Sequence, residues 1–182
     1  MDVKELLDPE LLPAIEAFPV FMLSNETLPS MRQPLRTPVE LSDKVQRTDH
    51  QVPGDPPIPL RVHRAKDATG TLPCVYSIHG GGFVLGSYDM DDPLFDRWCP
   101  KLGIVGVSVE YRLAPEHPYP IPLEDCYAGL KWVYEHADEL GVDRARIGIR
   151  GISGGGGLAA GLALLARDRG EVPIAFQLLD CP

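Results

Sequence analysis

Four short apolar runs, set apart by turn-forming and helix-forming segments, leave few folds open to this chain. They are Leu72–His79, Ile104–Glu110, Arg146–Ile152 and Ile174–Leu179. Runs of this length, without strict polar alternation, fit strands buried on both faces. Two helical segments lie between them. Pro122–Leu140 carries Leu123, Tyr127, Leu130, Tyr134 and Ala137 along one stripe and stops at Gly141, and Leu158–Arg169 is mostly Ala and Leu. Strand–helix–strand alternation implies an α/β fold: a mostly parallel sheet with helices on both faces. Ahead of it, strands near Lys44–Gln51 and Ile58–Ala65 flank the turn Val52-Pro53-Gly54-Asp55-Pro56-Pro57 and predict an antiparallel hairpin at the sheet edge. Residues 24–43, rich in Pro, Ser and Thr, read as a connector. Residues 1–20 read as one or two short helices, with Leu6, Leu7, Leu11 and Ile15 at helical spacing.

Chemistry concentrates where these runs end. Gly151-Ile152-Ser153-Gly154-Gly155 fits G-x-S-x-G, directly after one strand and before a helix-forming run. A strand-to-helix turn that sharp forces the serine into a strained backbone and needs glycine beside it. It also sets Ser153 at a helix N-terminus, where the dipole favours negative charge. Upstream, another apolar run leads straight into His79-Gly80-Gly81-Gly82-Phe83. Consecutive glycines leave backbone N–H groups unobstructed, able to hold an oxyanion. A phosphate-binding loop is excluded by the missing Lys-Ser/Thr pair and G-x-G-x-x-G frame. His79, lying ahead of both loop and serine, reads as a loop-fixing residue with Gly80, not as a general base. Phe83, Val84 and Leu85 suggest an apolar wall. Tyr111-Arg112-Leu113-Ala114-Pro115-Glu116-His117-Pro118-Tyr119-Pro120 is a stiff loop after a buried strand, with a packing or functional role.

The charge balance narrows the partners. The formal net charge of −9 argues against nucleic acid or an anionic membrane surface, both of which reward Lys and Arg. Cys74, Cys99, Cys126 and Cys181 show no C-x-x-C spacing, which reads as reduced thiols and a cytoplasmic setting. The N-terminus shows no secretory signal, and no stretch approaches the ~18 apolar residues of a membrane span. No metal or organic cofactor is implied, because His and acidic residues lack ligand spacing. The oligomeric state is not legible.

Together, the H-G-G-G loop, the Y-R-L-A-P-E-x-x-x-P segment and the G-x-S-x-G elbow resemble the hormone-sensitive-lipase-like group of α/β-hydrolase esterases and lipases. The likeness is good from Leu72 onward and looser before it. It implies the α/β-hydrolase fold, a small-molecule ester substrate, and Ser153 as nucleophile through an acyl-enzyme. It also implies an oxyanion hole made by the N–H groups of Gly81, Gly82 and Gly154, a helical cap segment and linker over residues 1–43, and the N-terminal, incomplete portion of an α/β-hydrolase domain over 44–182. Two positions depart from the group's pattern: Ile152 stands where Asp is usual, and Gly154 where Ala is usual.

The triad of this fold runs serine, acid, histidine. Only 29 residues follow Ser153, and none of the five histidines is among them. Asp168 and Asp180 do follow it, but read as surface or loop residues. The expectation is therefore an N-terminal portion of a longer hydrolase, its sheet cut short after the strand that follows the nucleophile helix. Alone it would be a poor enzyme and an unstable fold. The alternative is a ligand-binding, non-catalytic module on the same scaffold; a non-functional fragment is the third possibility.

Overall fold

The computed structural model describes residues 6–17, 23–32 and 39–182. The chain divides into two compact units, Met1–Leu35 and Arg36–Pro182. In the first, α1 (Leu12–Ala17) and α2 (Leu28–Met31) are short. The stripe expected from Leu6 onward is realised only in part: the helix begins at Leu12, and Leu6, Leu11 and Ile15 are exposed. Of the residues expected to form a cap and linker, 1–5, 18–22 and 33–38 lie outside the described residues. Near the other end of that segment, Ser42 donates its N–H and its hydroxyl to Asp96, at 3.1 and 3.0 Å.

Arg36–Pro182 is built on a six-stranded sheet. In chain order the strands are β1 (Val45–Val52), β2 (Ile58–Ala65), β3 (Leu72–Ile78), β4 (Val105–Val109), β5 (Val142–Ile152) and β6 (Gln177–Asp180). Their order across the sheet is β1-β2-β4-β3-β5-β6. The hairpin β1–β2 is antiparallel and sits at one edge as expected, and β2 joins β4 antiparallel. All remaining pairings are parallel. From β3 the chain crosses to β4 on one side; from β5 it crosses to β6 on the other. The carboxyl ends of β3 and β5 are therefore a topological switch point, where open α/β sheets hold their ligands.

Four helices connect the strands: α3 (Asp92–Leu102), α4 (Ile121–Glu135), α5 (Ala137–Leu140) and α6 (Gly154–Arg169). Helix α3 was hidden in the sequence by Pro93 and Pro100. Proline suits a first turn but works against a helical reading. The stripe expected to run unbroken from Pro122 to Leu140 is interrupted at His136. The carbonyls of Tyr134 and Glu135 are diverted to the Arg144 guanidinium, at 2.9 and 3.4 Å. The last strand is Gln177–Asp180, shorter than Ile174–Leu179, although Ala175 N–H already donates to Ile147 O at 2.8 Å and Phe176 O accepts Ile149 N–H at 3.0 Å.

The two faces of the sheet have separate cores. Against α4 and α6 lie Tyr76 and Ile78 of β3, Val105, Val107 and Val109 of β4, and Ile147 and Ile149 of β5, with Leu130, Val133 and Leu162 from the helices. Full burial of side chains of this size stabilises by about 1.5–3 kcal/mol each. Helix α3 covers the other face, where Val45, Ala65, Val75, Phe95, Cys99 and Ile104 form a smaller cluster. Beside that cluster a polar row crosses the sheet at one level: Asp49 opposite Arg61, Arg61 opposite Ser108, Ser108 opposite Ser77, and Ser77 opposite Arg150.

Candidate active site

Ser153 stands between β5 and α6 with φ 52° and ψ −124°, in backbone space that L-residues avoid, and it is exposed. Such strain costs about 1–3 kcal/mol and persists only when the surroundings fix it. They do. Its N–H donates to Asp180 O at 2.7 Å, and its carbonyl accepts from Gly156 N–H at 2.8 Å and from Gly157 N–H at 3.2 Å. Glycine at 155 is a steric requirement, since a Cβ there would run into the carbonyl oxygens of Ile78 and His79. The elbow is thus pressed against the end of β3, from which the glycine loop leaves.

That loop turns on Gly81, at φ 123°, followed by Gly82 and Phe83, also at positive φ. The Gly81 carbonyl accepts Val84 N–H at 3.1 Å and Leu85 N–H at 2.9 Å, closing the turn. Among the described residues, the N–H groups of Gly81 and Gly82 have no protein acceptor. A Cβ on residue 154 would lie 3.1 Å from Gly82 N and 3.2 Å from Phe83 N, so the glycine at 154 leaves the approach between loop and elbow open. The other unusual residue, Ile152, places its carbonyl 2.9 Å from where a Cβ on Gly80 would sit. The structure brings Ser153, Gly80, Gly81, Gly82 and Gly154 together at the switch point.

His79 is buried. Its Nδ1 lies 2.8 Å from Gly80 O, and its ring stacks on Tyr111 at 4.3 Å. The Tyr111 hydroxyl donates to His79 O at 3.0 Å. Burial pushes that phenol well above its ordinary pKa, which keeps it a donor. His79 is therefore built into the loop's support. The proline-rich loop after β4 is tied down by Arg112, which gives its backbone N–H and two guanidinium bonds, at 2.8 and 2.6 Å, to the buried Asp125. Ala114 N–H donates to Phe83 O at 2.9 Å and joins this loop to the glycine loop.

An apolar cavity of about 490 Å3 opens beside the elbow, lined by Phe83, Ala114, Pro118, Tyr119, Pro122, Leu123, Leu158 and the glycines 157 and 161. Gly157 and Gly161 follow Ser153 at successive helical turns, so one face of α6 carries both serine and cavity floor. Of the apolar wall expected from Phe83, Val84 and Leu85, only Phe83 lines this cavity.

The three acids after Ser153, Asp168, Glu171 and Asp180, are all exposed. Asp168 pairs with Arg167 at 2.7 Å, and Asp180 contributes its main-chain carbonyl to the elbow. His63 is fully buried against Asp92, and His50 and His136 pack on Trp132. No group of metal-binding side chains occurs among the described residues. No described helix is long and apolar enough to cross a membrane. The sequence reading overlooked Arg150, Asp91 and the cavity residues Tyr119, Gly157 and Gly161. Arg150 carried a usable signal: an arginine inside an apolar strand needs a buried partner.

A family model described as the alpha/beta hydrolase fold matches residues 75–182. The carboxylesterase NlhH of Mycobacterium tuberculosis is 41% identical over 181 residues, covering 97% of this chain and 57% of that protein. The esterase LipI of the same organism is 39% identical over 188 residues, covering 100% of this chain and 58% of its own length. Among solved structures, a bacterial heroin esterase matches with a TM-score of 0.78 at 38% identity, over 97% of this chain and 58% of that one. An esterase of Pyrobaculum calidifontis matches with a TM-score of 0.68 at 40% identity, over 98% of this chain and 52% of that one. The chain thus spans less than two thirds of the length of these relatives.

Proposed function

We propose a function from the premise that the chain belongs to the α/β-hydrolase family, in its hormone-sensitive-lipase-like group: carboxylic-ester hydrolysis with Ser153 as nucleophile. The observation that carries this reading is an exposed serine at φ 52° whose following residue abuts a loop of unobstructed glycine N–H groups. Ser153 Oγ would attack the ester carbonyl and give up its proton. The carbonyl oxygen, becoming an oxyanion, would be held by the N–H groups of Gly81, Gly82 and Gly154. Collapse would release the alcohol and leave an acyl-serine, which water then cleaves. The apolar cavity floored by Gly157 and Gly161 suits an apolar arm of the ester. The names of the similar proteins, carboxylesterase and esterase, support the same class.

The proton needs a base. Serine alone is a weak nucleophile at neutral pH, and all five histidines precede Ser153. His79 and His63 are committed to loop support and to Asp92. Residues 1–182 by themselves are therefore a poor enzyme under this reading. A second reading keeps the scaffold as a ligand-binding module without turnover. The two separate cleanly. In the whole protein, Ser153→Ala should abolish hydrolysis of a short aryl ester, and an organophosphate should label Ser153 one to one. Undiminished turnover in Ser153→Ala removes the serine from its role. Ligand binding with neither turnover nor labelling supports the second reading.

A further inference from the structure

On the reading of Ser153 above, we propose that Arg150 is a positioning residue: one guanidinium that fixes the spacing between the glycine loop and the nucleophile elbow. Arg150 lies on β5, three residues before Ser153. Its Nη1 donates to Ser77 Oγ at 3.0 Å and to Asp91 Oδ1 at 3.1 Å. Ser77 is on β3, two residues before His79, where the glycine loop departs. Asp91 closes the 3-10 turn Tyr88–Asp91, on which the loop returns. Both limbs of the loop are thus fastened to the strand that delivers the serine. The side chains of Arg150 and Asp91 are only 10% and 6% exposed. The Trp98 ring lies 5.9 Å from the guanidinium on the α3 side.

Three observations say that this pair acts on spacing and is more than packing. A buried ion pair is weak support for stability, because desolvation offsets most of its attraction. Direction is what it supplies, since a planar guanidinium bonds only where its donors point. Next, the approach it governs is close: even one Cβ added at Gly154 would lie 3.1 Å from Gly82 N. Last, no other side chain among the described residues bonds both to the loop's return limb and to the strand entering the loop. Glu110 takes Tyr88 N–H at 2.6 Å, but from just past the end of β4, and Tyr111 reaches only the loop's start.

The test compares Arg150→Met, Arg150→Lys and Ser77→Ala in the whole protein. Turnover is divided by the number of sites titrated with an organophosphate, so that unfolded molecules drop out. Arg150→Met should lower kcat per titrated site roughly 10- to 100-fold, the scale of an ångström-sized misplacement, with little change in KM. Arg150→Lys should recover part of it, and Ser77→Ala should lose only a few-fold. Hydrogen exchange gives a second readout that needs no turnover. Amides of Gly80–Gly86 should exchange faster in Arg150→Met, while those of β1 and β2 stay as they were. Wild-type kcat per titrated site, or unchanged exchange in the loop, overturns the proposal. If Arg150→Met does not fold, Ser77→Ala decides on the same two readouts. If wild-type protein titrates no site, the reading of Ser153 fails and loop exchange alone judges the clamp.

Discussion

The two faces of the sheet solve the same burial problem differently, one through a large apolar core and the other through a smaller apolar cluster with a polar row beside it. On the side of α4 and α6, Tyr76, Ile78, Val107, Val109, Ile147 and Ile149 pack against Leu130, Val133 and Leu162. On the side of α3, strand positions of β2 to β5 carry Arg61, His63, Ser77, Ser108 and Arg150; Asp92 pairs with Arg61 and His63, and Asp91 with Arg150. Apolar packing has no preferred direction and tolerates small shifts. Ion pairs with fixed donors do not. The apolar face supplies most of the stabilisation, and the polar face sets how loops at the carboxyl ends of β3 and β5 stand to each other.

The contrast can be attacked from each side. The largest effect should come from stranding a charge: Asp91→Ala leaves Arg150 buried without its anion and should cost about 4 kcal/mol in urea unfolding. On the apolar face, Leu162→Ala should cost about 3 kcal/mol through cavity formation, without altering the glycine loop. A loss in Asp91→Ala no greater than that of a surface substitution would show that water already reaches the pair. A smaller effect sharpens the comparison. Replacing both partners, Arg150→Met with Asp91→Leu, should return stability to within about 1 kcal/mol of the parent. Catalytic spacing should remain lost. Recovery of stability and spacing together would make the polar face ordinary packing.

Acidity gives the smallest and most selective probe. The Arg61 guanidinium holds Asp49 below its ordinary 3.8. Burial alone would raise Asp96, but the Ser42 N–H, Arg47 and the Ser42 hydroxyl outweigh it and hold Asp96 below 3.8. A depressed carboxylate stabilises above its unfolded pKa and loses that contribution as pH falls through the folded value. Glu110 is the reverse: burial raises it above 4.5, so the fold loses stability as pH climbs from 4.5 through its raised value. Unfolding free energies between about pH 3 and 7 should therefore show two limbs of opposite slope. Glu110→Gln should flatten only the upper limb, and Asp49→Asn should lessen only the lower one.

The sequence discloses one face far better than the other. Tyr76, Ile78, Val107 and Ile149 announce their burial by their own character, and the glycines at 80–82 and 154–155 announce a sharp turn and a close approach. The edge hairpin was legible for the same reason, its turn residues being specific. Arg61, Ser77 and Ser108 announce nothing singly, because a polar residue in a strand usually means solvent, and Arg150 announces only that it needs a partner, not which one. Their meaning depends on the register that places them opposite one another, and on α3, whose prolines hid it. The cavity was equally hidden: Gly157 and Gly161 matter only because Phe83, Tyr119 and Leu123 arrive from elsewhere in the chain.

The backbone at Ser153 has a consequence for how such a protein would change under selection. At φ 52° and ψ −124° every residue with a Cβ is strained, and glycine alone would rest there without penalty. Ser153→Gly should therefore be more stable than Ser153→Ala by about 1 kcal/mol, even after glycine's extra freedom in the unfolded chain. A library screened only for heat resistance would drift toward glycine at 153 and lose the hydroxyl along the way. Thermal hardiness and turnover are rewarded by different residues at this one position, so a screen for either alone would misjudge the other.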